Sequence, residues 1–124
     1  MDYLDTLSHF ASSLDYSKLE PQVQDQVGWI LADTVAAMAA GSAEPELRAI
    51  AKRQAAGTPH HSALLIGLGQ KSTPEAAAFI NGTSGTFLEM DEGNRFSRGH
   101  PAVHVIPAAL ALSQERTVTA ENFL

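Results

Sequence analysis

The amino-acid sequence predicts an all-α fold of four to six helices, and its apolar periodicity is the main reason. Apolar residues recur every three to four positions in four separate stretches, which is the repeat of a helix with a buried face. Proline in the first turn and glycine at the stop also punctuate these stretches, at the positions where each residue best fits a helix end. The four stretches are residues 21–40, 45–56, 73–90 and 107–115.

The best-defined helix covers residues 21–40, with Pro21 at its first turn and Gly41 at its stop. Its second half, TVAAMAAG, is apolar all round and rich in alanine. We therefore expect this half to be buried among other helices that approach it closely. A shorter amphipathic stretch, YLDTLSHFASSL, precedes it and also predicts a helix.

The helix predicted at residues 73–90 has Ser72 or Thr73 as its N-terminal cap. Gly82 and Gly85 lie inside it, and each costs about 1 kcal/mol relative to alanine in a helix interior. Either the helix breaks at these glycines or a neighbouring backbone needs the room. The apolar run HSALLIGLG before this helix is short, so a strand and a buried extended segment both remain open.

Residues 91–99 have no periodicity and contain Gly, Asn and Ser, which predicts a loop. Pro107 lies inside the apolar pattern that follows this loop. A proline in a helix interior forfeits a backbone hydrogen bond and clashes with the preceding turn. We therefore expect the helix proper to start near Pro107, with residues 101–106 as an irregular lead-in.

Composition and charge narrow the class of protein. With 124 residues, 44% of them hydrophobic, the chain has the size and apolar content of one globular domain. Eight Lys and Arg against fourteen Asp and Glu give a formal charge of −6, which opposes nucleic-acid binding. The absence of cysteine excludes disulfides, thiol nucleophiles and Cys-ligated metal. The acidic N-terminus is unlike a secretory signal, and no stretch reaches the roughly 18 apolar residues of a membrane helix, so we expect a soluble cytoplasmic protein.

Acidic residues and a histidine meet at the two ends of the predicted loop. Glu89, Asp91 and Glu92 lie at the end of one helix, and His100 lies at the far end of the loop. A loop of this length can fold back and bring the imidazole to the carboxylates, which would make an acid–base pair. The alternative is a solvated acidic helix end whose charges meet nearby arginines across an exposed loop, an arrangement that contributes little energy.

A metal site at the same place is a weaker alternative. His100 and His104 are four residues apart, and with Glu89 or Asp91 they would make a set of two histidines and one carboxylate. The prolines around this pair do not favour a regular helix, and the sequence has no HExxH motif. We therefore predict no metal, and we expect His104 to be a packed or hydrogen-bonded residue. Walker, GxGxxG and GxSxG motifs are also missing, which excludes the usual nucleotide-binding and serine-hydrolase patterns.

The segment INGTSGTFLEMDEGNRFSRGHPAVHVIPAALAL resembles the signature of the MmgE/PrpD family. Members typically read Asn-Gly, a short helix ending in Leu-Asp with further acids, a variable loop, then His-Pro and an apolar helix containing Pro-Ala-x-Leu-Ala. The upstream ILADTVAAMAAG is similar to the family's early buried helix, so the resemblance covers most of residues 25–124. The matching positions are Asn81-Gly82, Leu88, Asp91-Glu92, Gly99-His100-Pro101 and Ile106-Pro107-Ala108-Ala109-Leu110-Ala111.

The resemblance implies that the chain is a piece of a larger enzyme. Family members have a large all-α domain and a smaller α/β lid, so we expect residues 1–124 to be part of the helical domain, without the lid. The final TVTAENFL, with Thr119 as a cap, begins a helix and stops inside it, which fits this expectation. The family includes 2-methylcitrate dehydratase, cis-aconitate decarboxylase and an epimerase of a dicarboxylic imine. Their common step is proton chemistry beside a carboxylate, without a metal or organic cofactor.

The resemblance also assigns site residues by position. His100 matches the family's active-site histidine, and Glu89 lies where an aspartate is usual. Thr86 lies where many members carry histidine, and Gly93 where a threonine often follows the paired acids. A glutamate reaches further than an aspartate, so its role can survive while the substrate differs.

The leading hypothesis is a cofactor-independent lyase or isomerase that acts on a small di- or tricarboxylic acid, as a homodimer. In it His100 exchanges a proton, Glu89 or Asp91 orients the imidazole or works opposite it, and Arg95 and Arg98 bind the anionic substrate. A catalytically silent helical scaffold or assembly domain is the second hypothesis, and a metal-dependent hydrolase is the third. An enzyme requires His100 within hydrogen-bond reach of Glu89 or Asp91 at the rim of a cleft, whereas a scaffold leaves these groups apart and solvated.

Overall fold

The computed structural model describes residues 2–55 and 62–123 of the chain. The predicted all-α fold is confirmed, since helices dominate and the described strands form only one small antiparallel pair. A single 3-10 turn, Tyr16–Lys18, joins the first two helices. The described helices are α1 Tyr3–Ser13, α2 Pro21–Gly41, α3 Pro45–Ala55, α4 Pro74–Phe87, α5 Pro101–Arg116 and α6 Ala120–Phe123.

The helix starts and stops agree with the sequence pattern in most places. Proline occupies the first turn of α2, α4 and α5, where its missing N–H has no helical partner to lose. The hydroxyl of Thr73 caps α4 by accepting from the N–H of Ala76 at 3.3 Å. Thr119 precedes α6, and its carbonyl accepts from the N–H groups of Asn122 and Phe123. The predicted last residue of the third helix, at position 56, lies outside the described residues.

The apolar run before α4 forms a hairpin, so the strand alternative is the correct one. Strand β1, Ala63–Leu65, pairs antiparallel with β2, Gln70–Ser72. Asn81 in α4 is buried and holds this hairpin, because its Oδ1 accepts from the N–H of Ile66 and its Nδ2 donates to the carbonyl of Leu64, both at 2.9 Å. The asparagine of the Asn-Gly motif therefore has a structural role, because its buried amide satisfies backbone hydrogen-bonding groups of the hairpin.

Helices α2, α4 and α5 meet at a close crossing that requires small residues. A Cβ added at Gly85 of α4 would lie 2.7 Å from Cγ2 of Val103 in α5 and 3.5 Å from Cγ of Met38 in α2. Helix α4 continues through both of its glycines, so the neighbouring helices need the room and the helix does not break. The core beside this crossing is apolar and consists of Ala51, Ala63, Leu65, Ala77, Ile80 and Ala111.

Three details differ from the predictions. Helix α5 begins at Pro101 and continues through Pro107, so the predicted irregular lead-in at residues 101–106 is wrong. Pro107 is buried, and its ring faces Gly82 in α4. A Cβ built at Gly82 would lie 3.8 Å from Cγ of the proline ring, which is ordinary van der Waals contact. This packing offsets the loss of the helical hydrogen bond that a proline cannot donate.

The other two differences concern helix length and burial. Helix α4 ends at Phe87 and not near residue 90, because Glu89 adopts a left-handed conformation that stops the helix. The alanine-rich half of α2 is buried on one side only, through Thr34, Ala37, Met38 and Gly41, because α4 and α5 cover that side. None of the described helices is both long and apolar enough to cross a membrane.

Candidate active site

The candidate site lies between the end of α4 and the start of α5. Glu89 has φ 51°, and its N–H donates to the carbonyl of Thr86 at 3.0 Å, so it ends α4 in the place where glycine is usual. The left-handed conformation costs an L-residue roughly 1–2 kcal/mol. A glutamate is therefore held here in spite of local backbone strain, a feature that is common at functional sites.

The loop between the helices is closed by its own hydrogen bonds. The N–H of Asn94 donates to the carbonyl of Gly99 at 2.8 Å, and the return bond is 3.3 Å. The Oδ1 of Asn94 also accepts from the N–H groups of Phe96 and Ser97, at 2.9 and 3.0 Å. Because residues 94 and 99 are paired, residues 91–92 and residue 100 lie next to each other. The predicted fold-back of the loop is therefore present.

His100 uses one ring nitrogen to contact the other end of the loop. Its Nδ1 lies 2.9 Å from the carbonyl oxygen of Glu92 and 3.2 Å from Oδ2 of Asp91. The carbonyl oxygen of Glu92 can only accept a hydrogen bond, so Nδ1 carries the proton. In the neutral imidazole Nε2 then has a free lone pair on the opposite side of the ring. Nε2 is the atom of His100 that can accept a proton.

Asp91 places a buried carboxylate beside this imidazole. Its side chain is 5% exposed, whereas that of His100 is 52% exposed. The Nδ1–H is directed at Glu92, so Oδ2 of Asp91 has no hydrogen-bond partner among the described residues, and its interaction with His100 is electrostatic. A buried carboxylate at this distance stabilises the imidazolium and holds the ring in one orientation. Of the two candidate orienting acids, the structure brings Asp91 to His100.

Glu92 has a role that the sequence analysis missed. Its Oε2 accepts from the N–H of Ala102 at 3.3 Å, in the first turn of α5. His100 precedes this helix and makes no side-chain cap hydrogen bond, so Glu92 instead satisfies this N–H, which has no partner within the helix. In the sequence, the only sign of this cap is an acid eight residues before the His-Pro at which α5 starts. The acid can be recognised as a cap only when the loop is known to close.

The site residues line an open pocket of about 430 Å³, which is a size suited to a small molecule. Its lining combines carboxylate, imidazole and hydroxyl groups, and it contains three candidate site residues, His100, Asp91 and Glu89. No hydrogen bond or ion pair joins Glu89 to His100 in the described part of the chain, so Glu89 approaches the pocket independently. The lining residues are Thr86, Glu89, Asp91, His100 and His104.

His104 and the two arginines depart from their predicted places. His104 is exposed, lines the pocket and has no hydrogen-bond partner among residues 2–55 and 62–123, so its prediction as a packed or hydrogen-bonded residue is wrong. Arg95 and Arg98 lie in the turn that residues 94 and 99 close, and neither lines the pocket. The guanidinium of Arg95 lies 5.1 Å from the ring centroid of Phe96, and both side chains are exposed.

The metal alternative finds no support in the geometry. Within the described ranges, no three His, Asp or Glu side chains are placed to hold a metal ion, and this includes the pair His100 and His104 with its neighbouring acids.

Comparison with known proteins identifies the family. No curated protein and no solved structure gives a significant match. A family model described as the MmgE/PrpD N-terminal domain matches residues 5–124, which is nearly the whole sequence. The resemblance that the sequence motifs indicated is confirmed over this range. The chain therefore belongs to the MmgE/PrpD family and corresponds to the N-terminal domain of its members.

Proposed function

We propose that the protein is a cofactor-independent lyase or isomerase that transfers protons on a small di- or tricarboxylic acid. The observation that carries this proposal is the environment of His100, whose Nδ1 faces Glu92 and Asp91 while Nε2 is left to accept a proton. The family supports the same class, because MmgE/PrpD members are generally dehydratases and other lyases. A buried carboxylate beside an exposed imidazole favours an enzyme over a catalytically silent scaffold.

The chemistry begins at a carbon next to a substrate carboxylate. Nε2 of His100 accepts the proton from this carbon, and the carboxylate of Asp91 stabilises the imidazolium that forms. In a dehydratase the electron pair of the broken C–H bond forms the C=C bond, and hydroxide leaves as water after it gains a proton. In an epimerase the proton returns to the other face of the same carbon. In a decarboxylase no proton is removed first: the C–C bond to the carboxylate breaks, its electron pair stays on the substrate, and a His100 that starts as imidazolium donates the proton that replaces carbon dioxide.

Glu89 completes the proposed set as the second acid–base group. It lines the same pocket without contacting His100, so it can reach a bound molecule from a different direction. A leaving hydroxyl or the opposite face of the reacting carbon is the natural target of such a group. This assignment explains why the strained position at the end of α4 holds a glutamate instead of glycine.

The test is a pair of substitutions at His100 in the full-length protein. The side-chain amide of His100→Asn reaches the position of Nδ1 and can still donate to Glu92, but it has no atom at Nε2. Turnover should fall by about 10²–10⁴-fold with the melting temperature little changed. The amide of His100→Gln reaches the position of Nε2 but has no acid–base capacity, so its turnover should fall equally.

The measurement uses a panel of di- and tricarboxylic acids, with product formation followed by proton NMR so that loss of water, loss of carbon dioxide and epimerisation are distinguished. Asp91→Asn should lower turnover less than His100→Asn, because it removes the charge that stabilises the imidazolium but leaves the base. Near-normal turnover by His100→Asn at unchanged stability would overturn the proposal.

A further inference from the structure

The negative charges that line the pocket are unfavourable for the proposed anionic substrate. Two of its five lining residues, Glu89 and Asp91, carry carboxylates, which repel a carboxylic acid in its ionised form. The chain as a whole is also acidic, with a formal charge of −6. Arg95 and Arg98 do not line the pocket. The lining groups that can offer an N–H or a positive charge to the substrate are therefore the two histidines.

His100 is already engaged, which leaves His104. The Nδ1–H of His100 is directed at Glu92, and its Nε2 is the proposed base. His104 lies four residues after His100, near the start of α5, and both side chains line the same pocket. It is exposed and makes no hydrogen bond within the described part of the chain. Its ring can therefore turn to meet a ligand without breaking an existing contact.

His104 also occupies a junction between two depressions. Besides the pocket described above, it lines an adjoining groove of about 330 Å³ between α4 and α5, together with Phe79, Gly82 and Val103. Thr86 is the other residue shared by both. The hydroxyl of Thr86 lies 3.2 Å from the carbonyl of Thr83 and 3.4 Å from that of Gly82, so its proton is used inside α4. His104 is the group at this junction with an uncommitted donor.

We infer that His104 binds a carboxylate of the substrate. An N–H of its ring donates to the carboxylate at the junction, and this places the adjacent carbon in the pocket that contains His100. The remainder of the acid extends into the groove towards Phe79. This inference rests on the proposed function for the nature of the ligand. It adds a substrate-binding residue in α5 and offsets the two protein carboxylates.

The experiment separates binding from turnover. His104→Ala removes the donor in the full-length protein, and alanine is favourable in a helix, so the variant should fold with an unchanged melting temperature. KM should rise by about 10–100-fold while kcat changes little, because a charge-assisted hydrogen bond to the substrate is lost. His104→Gln keeps a neutral N–H donor and should recover part of the loss. His100→Asn should show the reverse pattern, with low kcat and little change in KM.

A direct binding measurement makes the result independent of activity. Propane-1,2,3-tricarboxylate has three carboxylates and no hydroxyl to eliminate, so it serves as the probe in isothermal titration calorimetry. His104→Ala should weaken its binding by at least tenfold, whereas His100→Asn should leave binding nearly unchanged.

The outcomes distinguish the inference from the proposed function. Binding that depends on His104, in a protein that turns over no acid of the panel, upholds the inference and removes the proposed reaction. Unchanged KM and unchanged binding in His104→Ala overturn the inference and leave the proposed reaction in place. The inference is also overturned if the wild-type protein neither binds the probe nor turns over any acid.

Discussion

Gly41 at the end of α2 lies directly against the carbonyl group of Ser84 in α4. A Cβ at this glycine would overlap the carbonyl oxygen and lie 2.9 Å from the carbonyl carbon. The two backbones are therefore in contact, and no other residue type fits between them. This contact fixes the position of α4 against α2. Because the candidate site begins at the end of α4, the contact also helps to position the site.

Gly41→Ala should destabilise the protein, because the added methyl group forces α2 and α4 apart. We expect the free energy of unfolding to fall by about 1–3 kcal/mol or more, as for other overpacked cores. Gly28→Ala is the matched control in the same helix, since nothing lies within 4 Å of a Cβ built there. That variant should gain roughly 0.5–1 kcal/mol from better helix propensity. Chemical denaturation of both variants tests the prediction, and equal effects would contradict the close approach.

Glu89→Gly should separate stability from activity. Glycine accepts the left-handed conformation without strain, so the free energy of unfolding should rise by about 1 kcal/mol. Turnover should fall, because the second acid–base group of the proposed site is lost. Glu89→Gln is the control that keeps the strain and removes only the charge, and it should lower turnover at unchanged stability. If Glu89→Gly turns over substrate normally, the carboxylate has no part in the reaction.

Asn94→Ala should disturb the site from a distance. The substitution removes the acceptor for the N–H groups of Phe96 and Ser97, so the loop that brings His100 to Asp91 is less well held. We expect turnover to fall by about 10–100-fold, as for other losses of positioning. Asn94→Asp keeps an acceptor oxygen at the same place and should retain most activity. Equal activity in the two variants would show that the loop is held by other contacts.

Asp15 should titrate at an unusually low pH. The hydrogen bond from the Lys18 ammonium, with help from the Ser17 hydroxyl, lowers the pKa of its carboxyl from 3.8 to about 2. The folded-state pKa is depressed, so the stabilisation that Asp15 contributes is present above pH 3.8 and is lost as pH falls through about 2. NMR of the side-chain carboxyl carbon should locate the midpoint. In Lys18→Ala the midpoint should return towards 3.8, and a midpoint that does not move would exclude the ion pair as the cause.

The homodimer expected from the sequence can be followed through Trp29. This residue is 73% exposed, on the outer face of α2. If a second copy covers this face, indole fluorescence should shift to shorter wavelength as protein concentration rises. Trp29→Glu should then give a monomer with unchanged helical content. Light scattering that shows a monomer at every concentration contradicts this prediction.

The sequence predicted the helices well because their signals are local. Periodicity, proline in the first turn and glycine at a stop identified α2 and α4 without any knowledge of their neighbours. The error at Pro107 arose because the local penalty of a proline is offset by its packing against a second helix at Gly82. Contacts of this kind join residues far apart in the sequence, so local pattern alone does not contain them.

In the candidate site, too, features with a local sequence signal were predicted, and features that depend on contacts between distant residues were not. The meeting of Asp91 and His100 was foreseen as a loop folding back, since it needs only a loop of suitable length. The place of His104 in the pocket was not predicted from the sequence. It depends on α5 starting at Pro101, whereas the sequence pattern predicted a start near Pro107. The cap that Glu92 provides was missed for a related reason: it forms only after the loop has closed.

The pairing of Asn94 with Gly99 also bears on how this enzyme family can vary. The described residues that form the candidate site lie outside the closed turn, at positions 89, 91–92 and 100 and in the two helices. The four residues at the tip, 95–98, are exposed. Asn94 holds the tip through the backbone N–H groups of Phe96 and Ser97, so new side chains and new charges at the tip can accumulate without moving the histidine or its acid. The sequence of the tip is therefore free to diverge while His100, Asp91 and Glu92 keep their positions.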